Sequence, residues 1–120
     1  MSMKIKSRQV DGITIMDCSG RITLGEGSVQ LRDAVRDLLS KGSKQILLNL
    51  GDVTYIDSSG IGELVRAHTL IRRASGRLKI VHPSAKVQEM LHMTMLHKVL
   101  EVHPDEESAI KSFGAAAASA

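Results

Sequence analysis

A chain of 120 residues with 42% hydrophobic and 24% charged residues has the size and balance of one globular domain, able to bury a continuous core without disulfides or a structural metal. Its formal charge of +3 is spread as 16 Lys and Arg among 13 acids, and with one Tyr, one Phe and no Trp it lacks the basic groove and stacking platforms that nucleic acid requires. No apolar window reaches membrane-span length and no signal peptide is evident, so neither insertion nor secretion is expected; the single Cys18, in an apolar run, reads as a buried thiol in a reducing cytoplasm.

In chain order, Lys4 to Val10 and Ile13 to Ser19 read as two strands joined by a tight Asp11-Gly12 turn. Lys4, Lys6 and Arg8 alternate on the first, as a charged face protecting a sheet edge. Gly20 to Gly27 reads as a polar, glycine-punctuated loop. Ser28 then precedes a helical run with Leu31, Ala34, Val35, Leu38 and Leu39, ended by Lys41-Gly42. Gln45 to Leu50 is almost continuously apolar, the mark of a central strand covered on both faces. Helical periodicity returns at Ser58 with Ile61, Leu64, Val65, His68 and Ile71 and stops at Ser75-Gly76, and Arg77 to Val81 supplies another strand.

Pro83-Ser84 opens a shorter helix carrying Val87, Met90 and Leu91, and Val99 to His103 reads as a last edge strand. Pro104 leads into a final helix with Asp105, Glu106 and Glu107 in its first turn and Ala109, Ile110 and Phe113 facing inward. The predicted architecture is α/β: a single mixed β-sheet with an N-terminal hairpin and about four helices, residues 1–113 forming the domain and 114–120 a flexible Ala/Ser-rich tail.

The segment after the central strand carries the most chemistry. Asp57 is placed to cap the next helix by accepting from its free backbone N–H groups, and Ser58 and Ser59 fall in the first turn. Gly60 and Gly62 are poor helix formers there, costing up to about 1 kcal/mol each relative to Ala, which points to close approach of something to the backbone. A plain strand-to-helix turn would use the same cap residues.

At these residues the chain resembles the STAS family, named for sulfate transporters and anti-sigma factor antagonists. The likeness takes in Gly20-Arg21-Ile22, the strand Ile46 to Leu50 running through Asp52-Val53 to Ile56-Asp57-Ser58-Ser59-Gly60-Ile61-Gly62, the strand Leu78 to Val81 and the closing Ser108-Ala109-Ile110. The resemblance implies that Ser59, directly before the motif glycine, is the phosphorylated residue and that Asp57 is its acidic neighbour. It implies a partner surface built from Asp57, Ser58, Ser59, Gly60, Ile61 and Gly62 with Arg21 and Thr23 from the nearby loop. It further implies partner switching: the unmodified protein binds an anti-sigma factor serine kinase and releases sigma, phosphorylation ends the complex, and a serine phosphatase resets it. The chain is then a substrate and a ligand rather than an enzyme. The rival reading is a cytoplasmic accessory subunit of a lipid transporter or other membrane assembly, which the same fold also serves.

Other features carry less. Gly25-Glu26-Gly27 starts like a phosphate loop, but Gln30 stands where the third glycine belongs, and no nucleotide cofactor is expected. His68, His82, His92, His97 and His103 lack the paired spacing of a zinc site, so no metal is expected either. Arg66, Arg72, Arg73, Arg77 and Lys79 read as a solvated basic face, and Met90, Met93 and Met95 as fillers of core gaps.

Overall fold

A computed structural model describes the backbone of residues 3–118 and side chains through Gly114. The elements run β1 (Met3–Val10), β2 (Ile13–Ile22), α1 (Glu26–Ser40), β3 (Gln45–Ile56), α2 (Ser58–Arg73), β4 (Arg77–Val81), α3 (Ala85–Met93), a 3₁₀ turn (Leu96–Lys98), β5 (Glu101–His103) and α4 (Glu106–Ala118). The strands form one sheet in the order β1-β2-β3-β4-β5, with β1 antiparallel to β2 and every later pair parallel. The mixed sheet, its hairpin and the four helices are those the periodicity predicts.

Alternation along the strands divides the core between two faces. Met16, Cys18, Ile46, Leu48, Leu50 and Ile80 point toward α1, α2 and α3, where Leu31, Val35, Leu64, Ile71, Val87 and Leu91 meet them. Ile13, Ile15, Leu47 and Val81 point the other way, under Ala109 and Phe113 of α4. Each such side chain, fully withdrawn from water, contributes about 1.5–3 kcal/mol. Cys18 is 3% exposed, and burial, with the charge of Asp17 added, pushes its thiol up to about 12.

Several boundaries differ from the pattern. β2 continues through Gly20-Arg21-Ile22, which the glycine made look like loop, and α1 begins at Glu26 rather than after Ser28. Ser28 is instead tied back to the loop, its backbone N–H and hydroxyl both donating to the Thr23 carbonyl at 3.1 and 2.8 Å. β3 does not end at Leu50. It runs on to Ile56 because two extra residues are absorbed along it: Asp17 faces Asn49 but Ser19 faces Asp52, and Gly20 faces Val53 but Arg21 faces Tyr55. That slippage lets Val53 and Ile56, three residues apart, both reach the core.

β5 is only three residues, since Leu100 is still part of the preceding turn, its N–H donating to the Leu96 carbonyl at 2.8 Å. Met90 packs against the core as expected, but Met93 and Met95 do not: α3 ends at Met93, Met95 turns back in a left-handed conformation, and the two are 71% and 54% exposed. Lys79 does not belong to a solvated face. It is 4% exposed beneath α4, where its ammonium donates to the Ser112 carbonyl and hydroxyl at 2.9 and 2.8 Å and pairs with Glu101 at 2.8 Å. Gly114 breaks the course of α4 with φ 55°; of the tail expected at 114–120, residues 119 and 120 lie outside the described residues.

Candidate functional site

β4 pairs with β3 only as far as Asn49 and β1 with β2 only as far as Gly20, so at Arg21-Ile22 and Tyr55-Ile56 β2 and β3 project as a two-stranded ribbon. Its tip holds the loop Thr23 to Gly25 on one side and the start of α2 on the other, with Ile22 opposite Ile56. The site is therefore built where a strand pair ends, and its two halves are joined by one side chain. Asp57 adopts an extended backbone as the N-cap of α2, and one carboxylate oxygen accepts from Gly60 N–H at 2.8 Å. The other accepts from Leu24 N–H at 3.1 Å. One carboxylate thus caps the helix and pins the loop, a cap whose loss costs about 0.5–2 kcal/mol.

Ser58 is exposed and Ser59 half-buried in the first turn of α2. Among the described residues neither hydroxyl has a hydrogen-bond partner, and the helix N-terminus adds backbone N–H groups and a partial positive charge beside them. Gly60 is buried against the end of β2: a Cβ there would collide with the Ile22 carbonyl oxygen and lie 2.6 Å from Ile56 Cγ1. The close approach expected at Gly60 is thus made by this chain's own backbone. Gly62 is different, because a Cβ there would meet nothing within 4 Å.

The remaining predicted residues divide by orientation. Ile61 is 5% exposed and turns into the core, so it anchors the segment and offers no side-chain surface. Thr23 is half-buried, with its carbonyl occupied by Ser28. Arg21 is exposed and its guanidinium lies 5.1 Å from the centre of the Tyr55 ring, which Lys86 approaches at 5.6 Å.

Three features escape the sequence pattern. Leu24, 79% exposed, is a large apolar side chain held at the surface beside Ser59 by the Asp57 tie, and Val29, 43% exposed, follows in the first turns of α1. The visible signal is a lone leucine in an otherwise polar loop. Glu63 is 3% exposed and binds Arg32 of α1 through two hydrogen bonds at 2.9 and 3.2 Å and Arg66 at 2.9 Å, locking the two helices that flank the loop. No spacing rule links residues 32 and 63. Arg21, Tyr55 and Lys86 come together only because Arg21 and Tyr55 share a register position.

The serine turn capped by Asp57 thus sits at the tip of a strand ribbon, on a mixed five-stranded sheet with three helices on one face and one on the other. The chain belongs to the STAS domain family, whose model matches residues 4–109. It is 24% identical over 113 residues to an anti-sigma F factor antagonist of Paenibacillus polymyxa, covering 92% of this chain and 94% of the relative. A Thermotoga maritima protein solved by crystallography superposes with a TM-score of 0.83 at 27% identity, covering 90% of this chain and 92% of that one. The anti-sigma factor antagonist SpoIIAA in its unphosphorylated form shares the fold with a TM-score of 0.75 at 18% identity, over 91% of this chain and 95% of that one, and its phosphorylated form from Bacillus gives 0.69 at 16%. No helix among the described residues is long and apolar enough to cross a membrane.

Proposed function

We propose that this chain is an anti-sigma factor antagonist controlled at Ser59. Unphosphorylated, it binds an anti-sigma factor serine kinase through the ribbon tip, with Leu24 and Val29 as apolar anchors around Ser58, Ser59 and Gly62. Phosphorylation of Ser59 by that kinase dissolves the complex, and a serine phosphatase restores it. The observation that carries this reading is the Ser59 hydroxyl itself, partner-free in the first turn of α2 beside a carboxylate already engaged by Gly60 and Leu24.

A phosphate at this position adds about −1.5 to −2 charges. The helix N-terminus tolerates that charge, so the fold survives it. At a closed interface the same charge sits beside Asp57 and must be desolvated against the partner, and a penalty of about 3 kcal/mol weakens binding more than a hundredfold. The transporter-accessory alternative has no specific observation in its favour.

The test is to incubate the protein with ATP and the serine kinases encoded in its own genome and to locate phosphate by mass spectrometry. Phosphate is expected on Ser59, lost in Ser59→Ala, with kinase affinity reduced about a hundredfold in the modified protein. Ser59→Asp is expected to melt close to the unmodified protein. Absence of label at Ser59 with every such kinase, or a Ser59→Asp protein that melts far earlier, overturns the proposal.

A further inference from the structure

Ser59 lies at one end of α2; at the other, about 20 Å away by helix rise, the chain has assembled a second concentration of chemistry. A cleft of about 140 Å³ opens between the last turns of α2, the start of β4 and the approach to β5, lined by His68, Arg72, Arg77, Lys79, Val99 and Glu101. The basic residues do not all have the same standing. Lys79 and the Glu101 carboxylate neutralise one another at 2.8 Å, and Glu101 also accepts from His103 at 2.5 Å, so the cleft's acid is already engaged. Arg72 and Arg77 have no acidic partner among the described residues.

Complementing the helix dipole accounts for Arg72 and its neighbour Arg73, both in the last turn of α2. It does not account for Arg77, which lies beyond the turn on β4, or for the cleft closed by Val99. Three of the carbonyls that would repel an anion at this helix end already accept: Ala74 N–H donates to Leu70 and Ile71, Ser75 N–H to Arg72 and Gly76 N–H to Ile71. His68 stands one turn before Arg72, and burial together with the Arg72 charge lowers its pKa, leaving an uncharged ring with an N–H to offer.

We propose that this cleft binds a phosphate group, held between the guanidinium groups of Arg72 and Arg77 with His68 as a further donor. A guanidinium presents parallel N–H donors that match two phosphate oxygens, and two such groups without an acidic partner among the described residues line this one cleft. The volume suits one tetrahedral oxyanion with residual water, given about 30 Å³ per water molecule. The half-exposed Val99 wall excludes part of the competing solvent and strengthens the interaction. The ligand is either free phosphate or a small phosphate monoester, and the site is independent of Ser59.

The test is titration of the ¹⁵N-labelled full chain with inorganic phosphate and, separately, with glycerol 3-phosphate, at ionic strength held constant with sodium chloride. Saturable shifts confined to His68, Arg72, Arg77 and Val99 are expected, weakened at least about tenfold in Arg72→Gln/Arg77→Gln and in Arg77→Gln alone. Both arginines are exposed, so thermal melts of these variants should match the unmodified protein. Tighter binding of the monoester identifies an esterified ligand, and tighter binding of the free ion identifies inorganic phosphate. Absence of saturation with both, equal shifts with chloride alone, or undiminished binding in the double variant overturns the proposal.

Discussion

Two glycines in the first turns of α2 make opposite demands, and substituting each by alanine separates them. At Gly60 an added Cβ would lie 2.6 Å from Ile56 Cγ1 and collide with the Ile22 carbonyl oxygen, which also accepts from Asp57 N–H at 3.4 Å. Ile22 and Ile56 are register partners in the sheet, so neither backbone can withdraw without disturbing the ribbon tip. Overpacking of this kind costs about 1–3 kcal/mol, with the upper end appropriate where backbone must move. Removing a helical glycine returns up to about 1 kcal/mol. The net expected loss for Gly60→Ala is thus about 2 kcal/mol, a fall in Tm of roughly 8 °C for a domain of this size. Gly62→Ala meets nothing within 4 Å and should gain about 0.5–1 kcal/mol from helix propensity alone. Thermal and urea unfolding followed by circular dichroism measure both. A Gly60→Ala protein as stable as the original, or two variants that shift alike, would refute the close-packing argument.

Asp57→Ala removes the acceptor of both Gly60 and Leu24 N–H groups and should cost about 1–2 kcal/mol, with faster hydrogen exchange at those two amides and unchanged exchange in α4; protection retained at Leu24 would show that the loop holds itself. Cys18, 3% exposed with its thiol pushed up to about 12, should resist iodoacetamide at neutral pH in the native protein and react only on unfolding, and rapid native labelling would contradict its burial. Arg8 binds Asp17 and Glu106 and holds both carboxyls below their ordinary values of 3.8 and 4.5. Depressed carboxyls stabilise the fold above those values and lose that contribution as the pH falls through the lowered ones. Arg8→Gln should therefore melt below the unmodified protein at pH 7, with the gap closing as the pH falls through the lowered carboxyl values; a gap independent of pH would place the effect in packing instead.

What can be read along the chain is what depends on neighbours in sequence. The hairpin at Asp11-Gly12, the amphipathic spacing of α1 and α2, the apolar run of β3 and the cap at Asp57 are local patterns, each set by a period or by a side chain reaching its own helix. The location of Ser59 at a helix start follows from them, whereas its selection over Ser58 comes from family likeness. Tertiary structure decided the rest because the deciding partners are remote. The extension of β3 to Ile56 depends on β3 absorbing two extra residues against β2, and the requirement for glycine at 60 depends on the Ile22 carbonyl. Glu63 is buried because Arg32 crosses from another helix, and Lys79 because Ser112 and Glu101 close over it. Leu24 stays exposed because Asp57, thirty-three residues later, holds its backbone at the surface. A charge or an apolar side chain reads the same in sequence wherever it ends up; its burial is set by what the fold brings against it, since only a matched partner offsets the cost of leaving water.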